Sequence, residues 1–165
     1  MAALRVMLAV AALCVASQAP AQAAPATPSV ASDLPDAFVR RSTRKGAGKF
    51  LTTADIQKLN PTATPQLLAR VSGGDLRDVG NGETALVNRR GIKNTFGASV
   101  ENELCRIGIF VNDLRAPDGF DLKSISIPEL LAIEFYNGPA SVPPDLNATG
   151  DASRCGVLVL WVKGR

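Results

Sequence analysis

The chain has 165 residues, a formal net charge of +3 and no histidine, which allows one domain and excludes Ser-His and Cys-His nucleophilic systems and imidazole zinc sites. The positive charge is local. From Phe50 onward there are 12 basic and 13 acidic residues, and with one Trp and one Tyr there is neither a basic stripe nor a stacking platform for nucleic acid.

In chain order, Arg5 is followed by an apolar run from Val6 to Ala16 and then by small residues, with Ala21 and Ala23 in A-x-A spacing. This predicts a secretory signal over 1–23, cleaved after Ala23. Cys14 lies inside the apolar run behind Leu13, where a lipidated cysteine would need small residues ahead of it and the end of the run, so it is read as part of the signal. No later segment has the apolar length to cross a membrane as a helix. Residues 24–48 are rich in Pro, Ala, Ser and Arg and are expected to form a flexible basic leader. Arg40, Arg41, Arg44 and Lys45 in that stretch, with Lys49 just after it, suit weak contact with anionic lipid, each contributing about 1 kcal/mol near such a surface; a solvated linker is the simpler reading. The "GAGKF" stretch fails as a phosphate loop, because Thr43 stands where the first glycine belongs and Phe50 where Ser or Thr belongs.

Order is expected from Phe50. Thr52 or Thr53 caps a short helix to Leu59, with Ile56 and Leu59 on one face. A second helix starts at Thr64-Pro65, with Thr64 as cap, and stops at Gly73-Gly74. "DLRDV" and "ETALVN" flank Gly80-Asn81-Gly82 as a hairpin. A strand follows in which Cys105, Ile107, Ile109 and Val111 alternate with Arg106, Gly108 and Phe110. "RAPDGF" is a turn, Pro128 to Leu131 a single helical turn, Ile133–Tyr136 a strand, and Val157–Val162 a strand apolar at every position and therefore buried on both faces.

Between two of these strands, Gly138 can take a backbone angle that other residues avoid, and Pro139 cannot donate to a ladder, so the chain leaves the sheet sharply at Asn137-Gly138-Pro139. It returns at Cys155. With Cys14 removed in the signal, Cys105 and Cys155 are an even pair in an oxidising compartment and read as a disulfide; the alternative is two separate buried thiols. Asp113, Asp118 and Asp121 lie close together in sequence and could form a carboxylate site, giving the alternative of a small exported hydrolase. Acids in a Gly/Pro turn are more often local turn formers. No EF-hand spacing is present, so neither metal nor cofactor is expected, and Asn147-Ala148-Thr149 is a glycosylation sequon by pattern.

"AIEFYNGPASVP" followed by "CGVLVLWVK" resembles the closing part of the plug domain of TonB-dependent outer-membrane receptors. Such plugs carry an Ile-Glu-Val-type stretch leading to Gly-Pro-Ala, then a Gly-x-Ile-x-Ile-type strand. Ile133, Glu134, Gly138 and Pro139 stand at the first motif and Gly156 at the second. "FLTTADIQKLNPTATPQLLARVSGG" is similar to the opening helices, "ALVNRRG" to the strand ending at Gly91, and "IGIFVND" to the strand ending at Asp113, so the likeness spans Phe50 to Lys163. Departures are Leu114 where a Gly is usual, Val162 where Thr is frequent, and Ser72 in place of Pro. A barrel of roughly 22 strands would need several hundred further residues, so the expectation is a plug-like unit without a pore.

The resemblance implies an α+β fold, a small mixed β-sheet with short helices, over residues 49–165. It further implies a non-catalytic module at the periplasm or the periplasmic face of the outer membrane, whose partner is an outer-membrane barrel, another envelope protein or a small ligand. Membrane contact would be at most peripheral. The expected contact loops carry Arg115, Asp118 and Asp121 in one turn and Asp145 and Asn147 in the long excursion. A vestigial receptor remnant is the remaining alternative.

Overall fold

The computed structural model describes residues 34–44, 46, 48–80, 82–88, 105–146, 148 and 154–164. The expected signal, Gly91 and Asn147 lie outside them.

A five-stranded mixed sheet organises the chain. Its strands are β1 (Lys49–Thr52), β4 (Gly108–Val111), β5 (Leu114–Arg115), β6 (Leu130–Tyr136) and β7 (Val157–Val162), in the order β1-β6-β7-β4-β5. β7 runs parallel to β4, and the other pairings are antiparallel. A separate ribbon pairs β2 (Asp75–Asp78) with β3 (Thr84–Val87), as the Gly80–Gly82 turn predicts. A bridge between Val87 and Arg106 ties the ribbon to the approach to β4.

The two-residue period of strands sorts the core into two layers. Ile133, Phe135, Leu158, Leu160 and Val162 face the layer containing α2 (Thr53–Lys58) and α3 (Thr64–Ser72). Ala132, Tyr136, Val157, Val159 and Trp161 face the opposite layer, with Phe38, Phe110 and Leu146. β7 is buried at every position, as its unbroken apolar run predicts.

The helix starts show which residues the chain uses as caps. Thr52 and Asp55 form a reciprocal capping box on α2. Hydrogen bonds from Thr52 hold the Asp55 carboxyl below its ordinary range, with a smaller contribution from Lys58. Thr64 is not the cap of α3. Ala63 holds that position, and the Thr64 hydroxyl is buried, donating instead to the Ile125 carbonyl at 2.6 Å. A buried hydroxyl needs a partner more than an exposed helix end does. Gly73, left-handed at φ +67°, ends the helix.

Two further expectations need correction. The basic stretch is not a flexible leader throughout: Asp36–Ser42 form a helix, α1, with Phe38 and Arg41 buried. Its residues pair apolar and charged anchors at i and i+3, which a count of charge alone conceals. The alternating strand also proves shorter, beginning at Gly108, and is covered on both sides. Phe110 is buried in the α1 layer, while Ile109 and Val111 pack toward the α2–α3 layer.

Candidate functional site

Glu134 sits in the middle of β6 with no exposed surface, on the face shared with Ala132 and Tyr136. A carboxylate in such a place costs several kcal/mol unless hydrogen bonds or an opposite charge compensate it. Three donors do so. The Trp161 indole N–H donates to Glu134 Oε1 at 2.7 Å, and the Tyr136 hydroxyl donates to Oε2 at 2.6 Å. Arg41 Nη1 approaches Oε2 at 3.4 Å from α1 above the sheet.

Arg41 is itself only 3 % exposed and reaches two further carboxylates. Nη1 donates to Asp113 Oδ1 at 2.7 Å, while Nε and Nη2 both donate to Asp145 Oδ2, at 3.0 and 2.9 Å. Its guanidinium lies 5.9 Å from the centre of the Trp161 ring, within cation–π range. One residue on α1 thereby joins the β4–β5 turn, strand β6 and the excursion between β6 and β7.

The electrostatics follow from burial and this pairing. Burial opposes the Arg41 charge, but the bonds to Asp113 and Asp145 and the nearby Glu134 more than offset it and raise its pKa. Burial pushes Glu134 up, resisted by Tyr136, Trp161 and Arg41. Burial and the bond to Glu134 together raise Tyr136. For Asp145, desolvation is outweighed by the Arg41 contact, which holds the carboxyl below its ordinary value.

The excursion that carries Asp145 is fastened at both ends. Gly138 leaves β6 at φ +116°, and Gly156 enters β7 at φ +106°, where a Cβ would lie 2.8 Å from the Tyr136 carbonyl oxygen. Cys155 is bonded to Cys105, with Cα atoms 5.2 Å apart, so the pair is a disulfide. Pro139 is exposed at the exit.

The structure brings Asp113, Glu134 and Asp145 together around Arg41 and leaves the other sequence candidates apart. Arg115 and Asp118 are exposed, their charged groups 3.9 Å from one another. Asp121 accepts from the Lys123 backbone N–H at 2.9 Å, capping the 3-10 turn Leu122–Ser124. Asp113, Asp118 and Asp121 thus have different partners. Ile133 belongs to the helix-side core. Among the described residues, no group of three or more acids and cysteines is arranged to hold a metal ion.

Arg41 and Trp161 were missed as site residues. A signal for the first was present: a lone acid in the apolar run "LLAIEFY" needs hydrogen-bond donors or an opposite charge, and in a chain without histidine the cations available are Lys and Arg.

A second feature is a groove of about 550 Å³ whose lining includes Lys49, Ser72, Asn88, Phe135, Asn137 and Ser141. The Lys49 ammonium donates to the Val71 carbonyl at 3.1 Å and lies 5.9 Å from the centre of the Phe135 ring.

No protein-family model matches the sequence, and no curated protein is similar to it.

Proposed function

We propose that this protein is a non-catalytic plug-like module of the cell envelope, akin to the plug domain of TonB-dependent receptors, that binds an envelope protein or a small ligand. One observation supports this reading above the others. The two segments that carry the resemblance, 132–143 and 155–163, contain the greater part of β6 and all of β7, neighbouring strands of one sheet. The motif acid Glu134 is the buried centre of their shared face.

Further support comes from the disulfide, since such bonds persist in oxidising compartments such as the periplasm. The excursion it pins presents exposed Asp145 beside α1, and the groove around Lys49 suits a small polar ligand. Affinity capture from envelope extract tests the proposal, paired with a melting-temperature screen against small envelope metabolites. Recovery of a specific protein, or a concentration-dependent rise in melting temperature, is expected. Neither appearing would overturn the reading.

A further inference from the structure

The Arg41 cluster is unbalanced in a particular way. Three carboxylates, Glu134, Asp113 and Asp145, converge on one guanidinium. The most buried of them is satisfied by the sheet as well, because Glu134 accepts from Trp161 and Tyr136, both held on β6 and β7. The pocket therefore keeps its central acceptor in place whether or not α1 lies over it.

The attachment of α1 is slight by comparison. Of its seven residues only Phe38 and Arg41 are buried, and its first turn has no side-chain cap bond. An isolated helix of that length is unstable in water, so α1 persists through its packing, chiefly those two anchors with partly buried Leu34 and Ala37 beside them. Phe38 packs edge-on to Phe50, with ring centres 5.7 Å apart, and Arg41 enters the carboxylates. The segment leading to β1 includes Gly46 and Gly48, both at positive φ, so the chain there turns through conformations that few other residues adopt.

We infer that the face beneath α1 is a receptor for a helical aromatic-x-x-Arg segment, filled in cis by Phe38 and Arg41 and open to the same pair of side chains from a partner protein. The partner's chemistry follows from the site. Paired carboxylates with an indole face select a planar, forked guanidinium over an ammonium, and the apolar recess beside Phe50 and Tyr136 takes an aromatic ring one helical turn away. The bound guanidinium in the structure distinguishes this from a bare acidic patch. The inference deepens the reading of the chain as a binding module and rests on it for its biological partner.

The test uses a fluorescent peptide spanning Leu34–Arg44, titrated into the full chain and into its Phe38→Ala/Arg41→Ala variant. Saturable binding to the variant is expected, with binding to the native chain about tenfold weaker or more, because the tethered α1 competes at a millimolar effective concentration. An Arg41→Lys peptide is expected to bind the variant about tenfold more weakly, since lysine cannot fork between carboxylates. Absence of saturable binding to a folded variant, or equal binding of the lysine peptide, overturns the inference. Should the variant not fold, hydrogen exchange on the native chain decides. The α1 amides must exchange through an opening that leaves β6 and β7 protected, and exchange of α1 only with global unfolding overturns the proposal. Failure of the envelope capture alone would remove the module reading and leave the peptide result standing.

Discussion

The Trp161 indole N–H and the Glu134 carboxylate meet at 2.7 Å across the β6–β7 seam. Glu134 lies opposite Val159 in the ladder and Trp161 opposite Ala132, so the two side chains are diagonal neighbours on one face. This contact makes a polar group part of the sheet's interior.

Glu134→Ala would strand three donors, from Trp161, Tyr136 and Arg41, without their acceptor. The expected loss of stability is about 3–5 kcal/mol, as for breaking other buried charge pairs. Arg41→Ala is expected to cost less, about 1–3 kcal/mol, because two of its three carboxylates, Asp113 and Asp145, are partly exposed and can be solvated. Urea denaturation of the two variants checks the order. Equal losses would show that the partly exposed carboxylates depend on Arg41 as fully as the buried one does.

Trp161 is the chain's only tryptophan and lies beneath the Arg41 guanidinium. In the Arg41→Ala chain its emission is expected to move to longer wavelength and become more accessible to acrylamide. Arg41→Lys should restore packing only in part, since an ammonium lacks the planar fork.

Asp145 provides the pH dependence. Its carboxyl is held below the ordinary value of 3.8 despite the opposing cost of burial, chiefly by Arg41. A depressed folded-state pKa stabilises the fold above the unfolded value, and that contribution is lost as pH falls through the folded value. Stability curves of the native chain and Asp145→Asn should therefore lie apart above pH 3.8 and converge below it. Curves that stay parallel through that range would contradict the contact.

Cys105 and Cys155 are 50 positions apart, and closing a loop of that length stabilises the fold by about 4 kcal/mol in the chain-entropy model. The Cys105→Ser/Cys155→Ser chain is expected to lose roughly that amount, read from denaturation midpoints, and the native chain to lose it on reduction.

Gly138 and Gly156 bracket the same excursion under different constraints. An alanine at Gly138 meets only the Arg154 carbonyl oxygen, at 4.0 Å, so Gly138→Ala should cost about 1–3 kcal/mol in backbone strain. At Gly156 the added Cβ also presses on the Tyr136 carbonyl oxygen at 2.8 Å. Gly156→Ala is expected to be the more destabilising, and thermal melts of both variants check it.

Much of the fold was readable from local pattern. The hairpin follows from glycines around Asn81, the strand β7 from six consecutive apolar residues, the exit at Asn137-Gly138-Pro139 from backbone preference, and the disulfide from pairing the two cysteines that lie outside the expected signal. Each depends on interactions among neighbours in sequence or on simple counting. The cap of α3 was misplaced because Thr64 reaches Ile125, 61 positions away, and propensity cannot see a partner so distant.

The candidate site was least legible for the same reason. Glu134, Asp113 and Asp145 were each singled out, for motif position or loop placement, but nothing local says that they meet. The sequence by itself determined the β2–β3 hairpin, β7, parts of β4 and β6, and the presence of one acid among apolar neighbours, since these rest on side-chain type and short-range geometry; β1 and β5 are too short to show a period of their own. Only the tertiary structure decided that the arginine completing the cluster comes from 93 residues earlier in the chain. Burying Glu134 on the sheet leaves a carboxylate to be compensated, and the packing of α1 across that face adds Arg41 to the donors that Trp161 and Tyr136 supply.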